Sequence, residues 1–192
     1  MFQRLSKLYA ISLGLLLLML SPAQASPVST AFTISDVEFN YYELVEAPLT
    51  WEDAKTAAEA RTYQGVSGHL ATMTSLEESN FVTAYLNDLS IVDVVWQAWV
   101  GGYQDHSVQD YAEPSGGWRW ITGEPWSFSN WVPGEPNDQD GEDFLTVSLD
   151  HNCQWNDSHG VNPGYVVEYA VPEPTTLSLL ALGGLAMMRR RR

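Results

Sequence analysis

The sequence predicts an α+β domain in which two helices come first and a mostly antiparallel sheet follows. Two helix-start signals, at residues 50–53 and 75–78, lie in the first half of the chain. Beyond residue 91 such signals stop, and short runs typical of strands replace them. Residues 122–143 have neither helical nor strand periodicity, which predicts one long loop within the sheet region.

The two helices are justified by their first residues. Thr50-Trp51-Glu52-Asp53 is similar to a capping box, with Asp in the place of the usual Glu, and an Ala-rich stretch continues this helix to about Tyr63. Ser75-Leu76-Glu77-Glu78 is a capping box of the common form. The second helix has an approximate apolar face, formed by Leu76, Phe81, Val82, Tyr85 and Leu86.

The strands are predicted from short apolar runs. Residues 41–45 form a candidate early edge strand. Four further runs follow the helices, at residues 96–100, 117–121, 144–149 and 165–169. Five tryptophans of this region are expected in the core rather than at a ligand: Trp99, Trp118, Trp120, Trp131 and Trp155.

Residues 1–25 have the organisation of a secretory signal peptide. Arg4 and Lys7 precede an apolar run at residues 8–20, and Ala23-Gln24-Ala25 forms a small-x-small cleavage site. The run is shorter than the about 20 residues that a membrane span needs. A buried N-terminal helix is the alternative interpretation.

The other end, residues 172–192, has three parts in order: Pro172-Glu173-Pro174, an apolar stretch, and the arginines 189–192. Over residues 171–192 this order resembles the PEP-CTERM sorting signal of bacteria, which implies an exosortase-type transpeptidase as a partner. A plain membrane anchor is the alternative. The arginines would stay in the cytoplasm, so residues 26–171 are expected to be exported to the cell surface or envelope, with at least transient membrane anchoring.

The exported region, residues 26–171, is strongly acidic. It contains 23 Asp and Glu residues against Lys55, Arg61 and Arg119, which gives a formal charge of −20. A surface of this charge repels polyphosphate and excludes nucleic acid as a partner. The single cysteine, Cys153, excludes an intramolecular disulfide and a zinc site built from several cysteines. We expect Cys153 to be a small, partly buried residue, with an intermolecular disulfide as the alternative.

The long loop carries the residues with the clearest chemistry. Its aromatic side chains, Trp126, Phe128 and Trp131, argue against disorder, and an ordered loop of this length is usually functional. Oxygen-bearing side chains crowd its end, and two more follow one strand later: Glu135, Asn137, Asp138, Asp140, Glu142 and Asp143, then Asn156 and Asp157. An oxygen-only set suits a hard cation, and calcium accepts about 6–8 such ligands with loose geometry. A solvated acidic loop is the alternative.

Residues 38–170 resemble the C-type lectin domain. The motifs stand in the family's order and spacing: Trp51-Glu52-Asp53-Ala54-Lys55, Gly68-His69-Leu70-Ala71-Thr72, Trp99-Val100-Gly101-Gly102, Trp118-Arg119-Trp120, Gly123-Glu124-Pro125-Trp126, Asn130-Trp131, Glu135-Pro136-Asn137, Gly141-Glu142-Asp143, Trp155-Asn156-Asp157 and Gly164-Tyr165-Val166-Val167-Glu168-Tyr169. The resemblance implies a C-type lectin-like fold with two helices, antiparallel sheets and a long calcium-binding loop.

The resemblance also implies a ligand set for Ca²⁺. The implied ligands are Glu135, Asn137, Glu142, Asn156 and Asp157, and Pro136 would follow a cis peptide bond. Four of them would also bind two vicinal sugar hydroxyls, with Glu135 and Glu142 accepting protons while Asn137 and Asn156 donate. In the family the Glu-Pro-Asn order goes with mannose-type sugars, which implies a carbohydrate partner of the mannose, glucose or fucose type.

Three departures from the family matter. The usual disulfide cysteines are absent, and Phe144 stands where one is expected, so aromatic packing is expected to replace the cross-link. The loop is one residue shorter before Glu142, which makes Asp143 the substitute ligand. A second, auxiliary metal would use Asp105, Asp138 and Glu142, with Asp110 or Glu113.

Three functions follow from these patterns. The first is a calcium-dependent carbohydrate-binding module. The second is a calcium-stabilised structural or protein-interaction domain without sugar binding. The third is an enzyme that uses Glu135 and Glu142 as a carboxylate pair on a glycoside. We expect no enzyme, because a metal would engage both carboxylates and the four scattered histidines pair with no plausible nucleophile.

Overall fold

The computed structural model describes residues 31–35, 38–89 and 95–172. The predicted signal peptide (residues 1–25) and the sorting motif from Glu173 and Pro174 onward lie outside the described residues, while Pro172 ends the last strand. Within these ranges, no helix has the length and apolar character required to cross a membrane.

Two helices begin at the predicted caps. Helix α1 is Trp51–Glu59, and the Thr50 side chain accepts the Asp53 N–H; helix α2 is Leu76–Asp88, and the Ser75 side chain accepts the Glu78 N–H. The prediction that the first helix continues to about Tyr63 is wrong. The chain instead forms a two-stranded hairpin at residues 62–67, because Gln64 and Gly65 both adopt the positive φ that a tight hairpin turn requires.

The described part of the chain contains ten strands. In chain order they are β1 (Ala31–Ser35), β2 (Glu38–Leu49), β3 (Thr62–Tyr63), β4 (Val66–Ser67), β5 (His69–Leu70), β6 (Gln97–Gln104), β7 (Trp118–Trp120), β8 (Phe144–Ser148), β9 (Gln154–Ser158) and β10 (Asn162–Pro172).

The main sheet has the strand order β1-β2-β10-β6-β8-β9, with β5 paired to β10 and β7 paired to β6. All of these pairs are antiparallel except β10 with β6. The predicted α+β class is therefore confirmed. Residues 41–45, predicted as an early edge strand, lie within β2: Tyr41 is paired on both sides, whereas residues 42–45 pair with β10 and have no partner in β1.

Large aromatic side chains form much of the core. Trp99, Trp118, Trp120 and Trp155 are buried, and Trp131 is partly buried against the cluster that contains the last three, so the expected core role is confirmed. From α2, Val82 and Leu86 join this core. Leu76, expected on the same apolar face, is 54% exposed, so this part of the predicted face is wrong.

Aromatic packing occupies the position at which the family resemblance implied a cysteine. Phe144 stacks on Trp51, with ring centroids 4.7 Å apart, and meets Trp99 edge-on at 6.2 Å. Such pairs stabilise by about 0.5–1.5 kcal/mol beyond the burial of their surface. The remaining cysteine, Cys153, is fully buried rather than partly buried, and burial raises the pKa of its thiol to about 11. An unreactive packing residue is therefore what the structure indicates at this position.

Candidate functional site

Aromatic side chains anchor the first half of the loop between β7 and β8. The Trp126 ring centroid lies 4.6 Å from that of Trp120 and 5.4 Å from that of Trp155, and Phe128 meets Trp155 edge-on. Two backbone bonds attach the loop to β9: Val132 N–H donates to the Trp155 carbonyl at 2.9 Å, and Trp155 N–H donates to the Asn130 carbonyl at 2.7 Å. This half of the loop is therefore ordered by packing.

A buried carboxylate holds the second half. Asp157, in β9, is fully buried, and its side chain accepts the N–H of Asn137 at 2.9 Å and the N–H of Asp138 at 2.7 Å. Hydrogen bonds to an ionised acceptor are about twice as strong as neutral ones. Asp157 thus fixes the loop backbone beside the sheet. Its neighbour in β9, Asn156, is only partly buried, as expected from the alternation of side chains along a strand.

Glu135 is the least satisfied of the predicted ligands. The Glu135–Pro136 peptide bond is cis, and Glu135 Oε2 is buried without a hydrogen-bond partner among the described residues. Burial raises the pKa of this carboxyl, and the adjacent Asp157 raises it further through its negative charge. A buried polar atom without a partner costs about 1–3 kcal/mol, so the arrangement requires an explanation.

Glu142 completes a group of three acids. Its side chain is 13% exposed, and its pKa is raised first by burial and then by the charge of Asp157. The Gln139 N–H donates to Glu142 Oε2 at 3.2 Å, and His159 Nδ1 lies 3.7 Å from Oε1; both lower this pKa. Glu135 and Glu142 are therefore each destabilised as anions by the same buried carboxylate.

The two predicted amide ligands lie on either side of this group. Asn137 is exposed, and its Oδ1 accepts the Gln139 N–H at 2.8 Å. Asn156 Nδ2 donates to the Asp157 carbonyl at 2.5 Å.

The donor set fits calcium. Carboxylate and amide oxygens come from two segments, the loop and β9, in a region where acids repel and one carboxylate oxygen has no partner. The carboxylates of Glu135, Glu142 and Asp157 do not form a group whose ligand atoms all lie within 4.8 Å of one another. A divalent cation would satisfy that oxygen and reverse the repulsion. Calcium tolerates the irregular geometry that such a mixed set provides.

The residues predicted for an auxiliary metal have other partners. Asp105 accepts the N–H and hydroxyl of Ser107, which hold its pKa below the usual range. Asp138 accepts the Glu142 N–H at 2.9 Å. Asp110 pairs with Arg119, which lowers the pKa of the aspartate.

A different group does converge: the sequence marks Glu113 and Asp143 as metal-ligand candidates, but it does not predict that they meet at His106. His106, Glu113 and Asp143 each place one potential ligand atom within 4.8 Å of the other two, and they form the one such three-residue group in the described ranges. Asp143, the expected substitute for Glu142, lies 2.6 Å from His106 Nε2 and raises the pKa of that imidazole. The pairing of β6 with β8 brings His106 and Asp143 together, and no local sequence pattern predicts that pairing.

Comparisons with known proteins agree with this architecture. Residues 47–167 match the family model described as Lectin C-type domain, and residues 170–192 match the PEP-CTERM protein-sorting motif. The chain is 33% identical over 147 residues to halomucin of Haloquadratum walsbyi, across 68% of this chain and 1% of halomucin. It is 27% identical over 121 residues to human C-type lectin domain family 10 member A, across 61% of this chain and 32% of that protein.

Solved structures share the fold. The C-type lectin CEL-I of Cucumaria echinata superimposes with a TM-score of 0.57 at 20% sequence identity, which covers 73% of this chain and 95% of CEL-I. At this identity the likeness concerns the fold. In the two sequence relatives the aligned segment is a small part of a longer protein.

Proposed function

Because the chain belongs to the C-type lectin domain family, we propose that residues 26–171 are a calcium-dependent carbohydrate-binding module for mannose-type vicinal diols. The domain is a lectin module and not an enzyme. The finer proposal concerns the metal and the class of sugar. It rests on the loop described above and on the order Glu135-Pro136-Asn137.

The single observation that supports the metal most strongly is the buried, unpartnered Oε2 of Glu135 beside the carboxylate of Asp157. When both are ionised, the carboxylates of Glu135 and Asp157 repel, and Asp157 raises the pKa of Glu142 in the same way. A cation is the simplest group that would stabilise all three in their ionised forms. Asp157 would remain in place because backbone N–H groups already hold it.

The sugar would be recognised by the side chains at the rim. Glu135 and Glu142 accept hydrogen bonds from two neighbouring hydroxyls, and Asn137 and Asn156 donate to the same hydroxyl oxygens. Bound calcium supplies open coordination positions for those oxygens. Asn137 is exposed and Glu142 and Asn156 are partly buried, so a ligand can reach them from solvent.

Weak single sites would suit a protein displayed in many copies. An exposed diol site has an affinity of about millimolar, or about −4 kcal/mol, and useful avidity needs several copies at one surface. The PEP-CTERM motif indicates export and association with the cell envelope. We propose that residues 1–25 are removed as a signal peptide and that an exosortase-type transpeptidase processes residues 172–192. The glycan would then belong to the cell surface or exopolysaccharide.

One observation favours the second function, a structural or protein-interaction module. Packing around Trp126 and the backbone bonds to Asp157 hold the loop through contacts of the protein with itself. A domain that bound no sugar would still fold this way. Sugar retention therefore has to be measured directly.

The test uses the full chain, purified in mild detergent, on a column of immobilised mannose. Calcium should cause retention, and a chelator should release the protein. Asn137→Asp should abolish retention, because the change removes the amide donor and adds a charge beside three acids, while the fold measured by circular dichroism stays intact.

Asn87→Asp is the matched control, since Asn87 is exposed in α2 and lies outside the loop. This variant should be retained like wild type. Retention that does not need calcium, or equal behaviour of the two variants, would refute the proposed ligand assignment. Calcium binding without retention on any sugar would favour the second function.

A further inference from the structure

A histidine and two acids meet where β6 ends and β8 begins. His106 follows β6, Asp143 precedes β8, and Glu113 lies in the connection from β6 to β7. One potential ligand atom of each lies within 4.8 Å of the other two, and His106 Nε2 is 2.6 Å from Asp143 Oδ1. The His106 and Asp143 side chains are 52% and 36% exposed, so an ion can enter from solvent.

The backbone around this group is held by several hydrogen bonds. Gln104 N–H donates to the Asp143 carbonyl at 2.8 Å, which fixes the start of β8 beside the end of β6. Asp105 N–H donates to the Gly117 carbonyl at 2.8 Å, and Gln104 Nε2 donates to the Gly116 carbonyl at 2.7 Å. These bonds fold the connection that carries Glu113 back against β6.

Tyr111 orients two of the three side chains. Its hydroxyl donates to Glu113 Oε1, and its ring centroid lies 4.4 Å from that of His106. Partners of this kind fix the direction of metal ligands, and their loss commonly lowers metal affinity by about 10–100-fold. The side chains are therefore oriented as well as close.

We propose that His106, Glu113 and Asp143 bind a zinc ion. One imidazole nitrogen with two carboxylate oxygens is a ligand set that zinc accepts, and water would fill the fourth position. Calcium in proteins takes oxygen ligands only, so the imidazole distinguishes this site from the loop around Glu135. The proposal does not depend on sugar binding or on calcium.

The chain provides its own comparison for this proposal. His151 Nε2 lies 3.9 Å from Asp150 Oδ2, and His159 Nδ1 lies 3.7 Å from Glu142 Oε1. Neither belongs to a three-ligand group in the described parts of the chain. A zinc ion that merely collected at histidine–carboxylate pairs would not prefer His106 to these two.

The experiment titrates zinc chloride into the full chain in detergent, by calorimetry, with calcium at saturation. Wild type should bind one equivalent, His106→Gln should weaken binding at least about tenfold, and His151→Gln should leave it unchanged. Glu113→Gln should weaken it as well. With cobalt as the probe, the visible absorption of wild type should be lost in His106→Gln alone of the two histidine variants.

Three outcomes would overturn the proposal. One is zinc affinity that His106→Gln leaves unchanged. Another is an equal loss in His106→Gln and His151→Gln, which would indicate adsorption at surface histidines. The third is a loss in Asn137→Asp with none in His106→Gln, which would place zinc in the calcium loop.

Discussion

Asp157 offers the sharpest test of the metal, because its two roles can be separated by substitution. Its carboxylate holds the loop through the N–H groups of Asn137 and Asp138, and its charge raises the pKa of Glu135 and Glu142. Asp157→Ala removes both roles. Asp157→Asn removes the charge but keeps one oxygen that can accept from the loop backbone.

The expected magnitudes differ with and without calcium. Each N–H bond to an ionised acceptor contributes about 1.5–3 kcal/mol, so the loss of both costs about 3–6 kcal/mol, of which relief of repulsion returns about 1 kcal/mol per neighbouring acid. Asp157→Ala should therefore lower the free energy of unfolding by about 2 kcal/mol in chelator. Asp157→Asn keeps one neutral bond of about 1 kcal/mol and relieves repulsion of about 1 kcal/mol per neighbouring acid. Its net cost in chelator should therefore be about 1 kcal/mol or less.

Calcium should widen the difference in free energy of unfolding between wild type and Asp157→Asn. At a calcium concentration of about 100 times the dissociation constant, wild type gains about 2.7 kcal/mol by mass action, and a variant without the site gains nothing. Asp157→Asn should then lie about 4 kcal/mol below wild type. Urea unfolding followed by tryptophan fluorescence measures both conditions, with the exposed Asp150→Asn as the matched control. An equal deficit for Asp157→Asn in chelator and in calcium would refute the metal site.

Two further predictions concern the same loop. The pKa of Glu135 is raised in the folded state, so above the ordinary Glu pKa the folded state binds more protons than the unfolded state. The contribution of Glu135 to the free energy of unfolding in chelator therefore falls as pH rises. Glu135→Gln should therefore be more stable than wild type at pH 7 but not near pH 4, by urea unfolding; equal pH profiles would contradict this. Trp126→Ala should cost about 3 kcal/mol and weaken calcium binding in calorimetry, whereas Trp96→Ala, at a half-exposed ring, should do neither.

Local signals predicted the helices well and the strands less completely. The caps at Thr50 and Ser75 are local chemistry, and both helices begin where the caps indicate. Strand β9 was missed because Gln154–Ser158 is mostly polar and lacks an apolar alternation. Its strand conformation comes from pairing with β8, which lies outside any local window. The partner strands of β2 were likewise not visible in its own sequence.

The candidate loop could be predicted from its composition, but the contacts that hold it in an ordered conformation could not. The crowding of acids suggested that a cation was needed to order residues 122–143. The structure shows that Trp126, Phe128 and Trp131 supply much of that order through contacts with Trp155. The convergence of His106 with Asp143 was invisible for the reason that applies to β9, since both depend on strand pairing.

The division of the loop into a packed half and a charged half has a consequence for affinity. An ion that must order its own loop gives up part of its binding free energy to conformational entropy. Here packing against Trp155 and the backbone bonds to Asp157 hold the ligands near one another in advance, and what remains unsatisfied is electrostatic. Calcium affinity should therefore depend more on the charges of Glu135 and Glu142 than on loop ordering. Within the loop, substitutions that remove an aromatic ring should consequently lower stability in chelator. Substitutions that remove the charge of Glu135 or Glu142 should raise it.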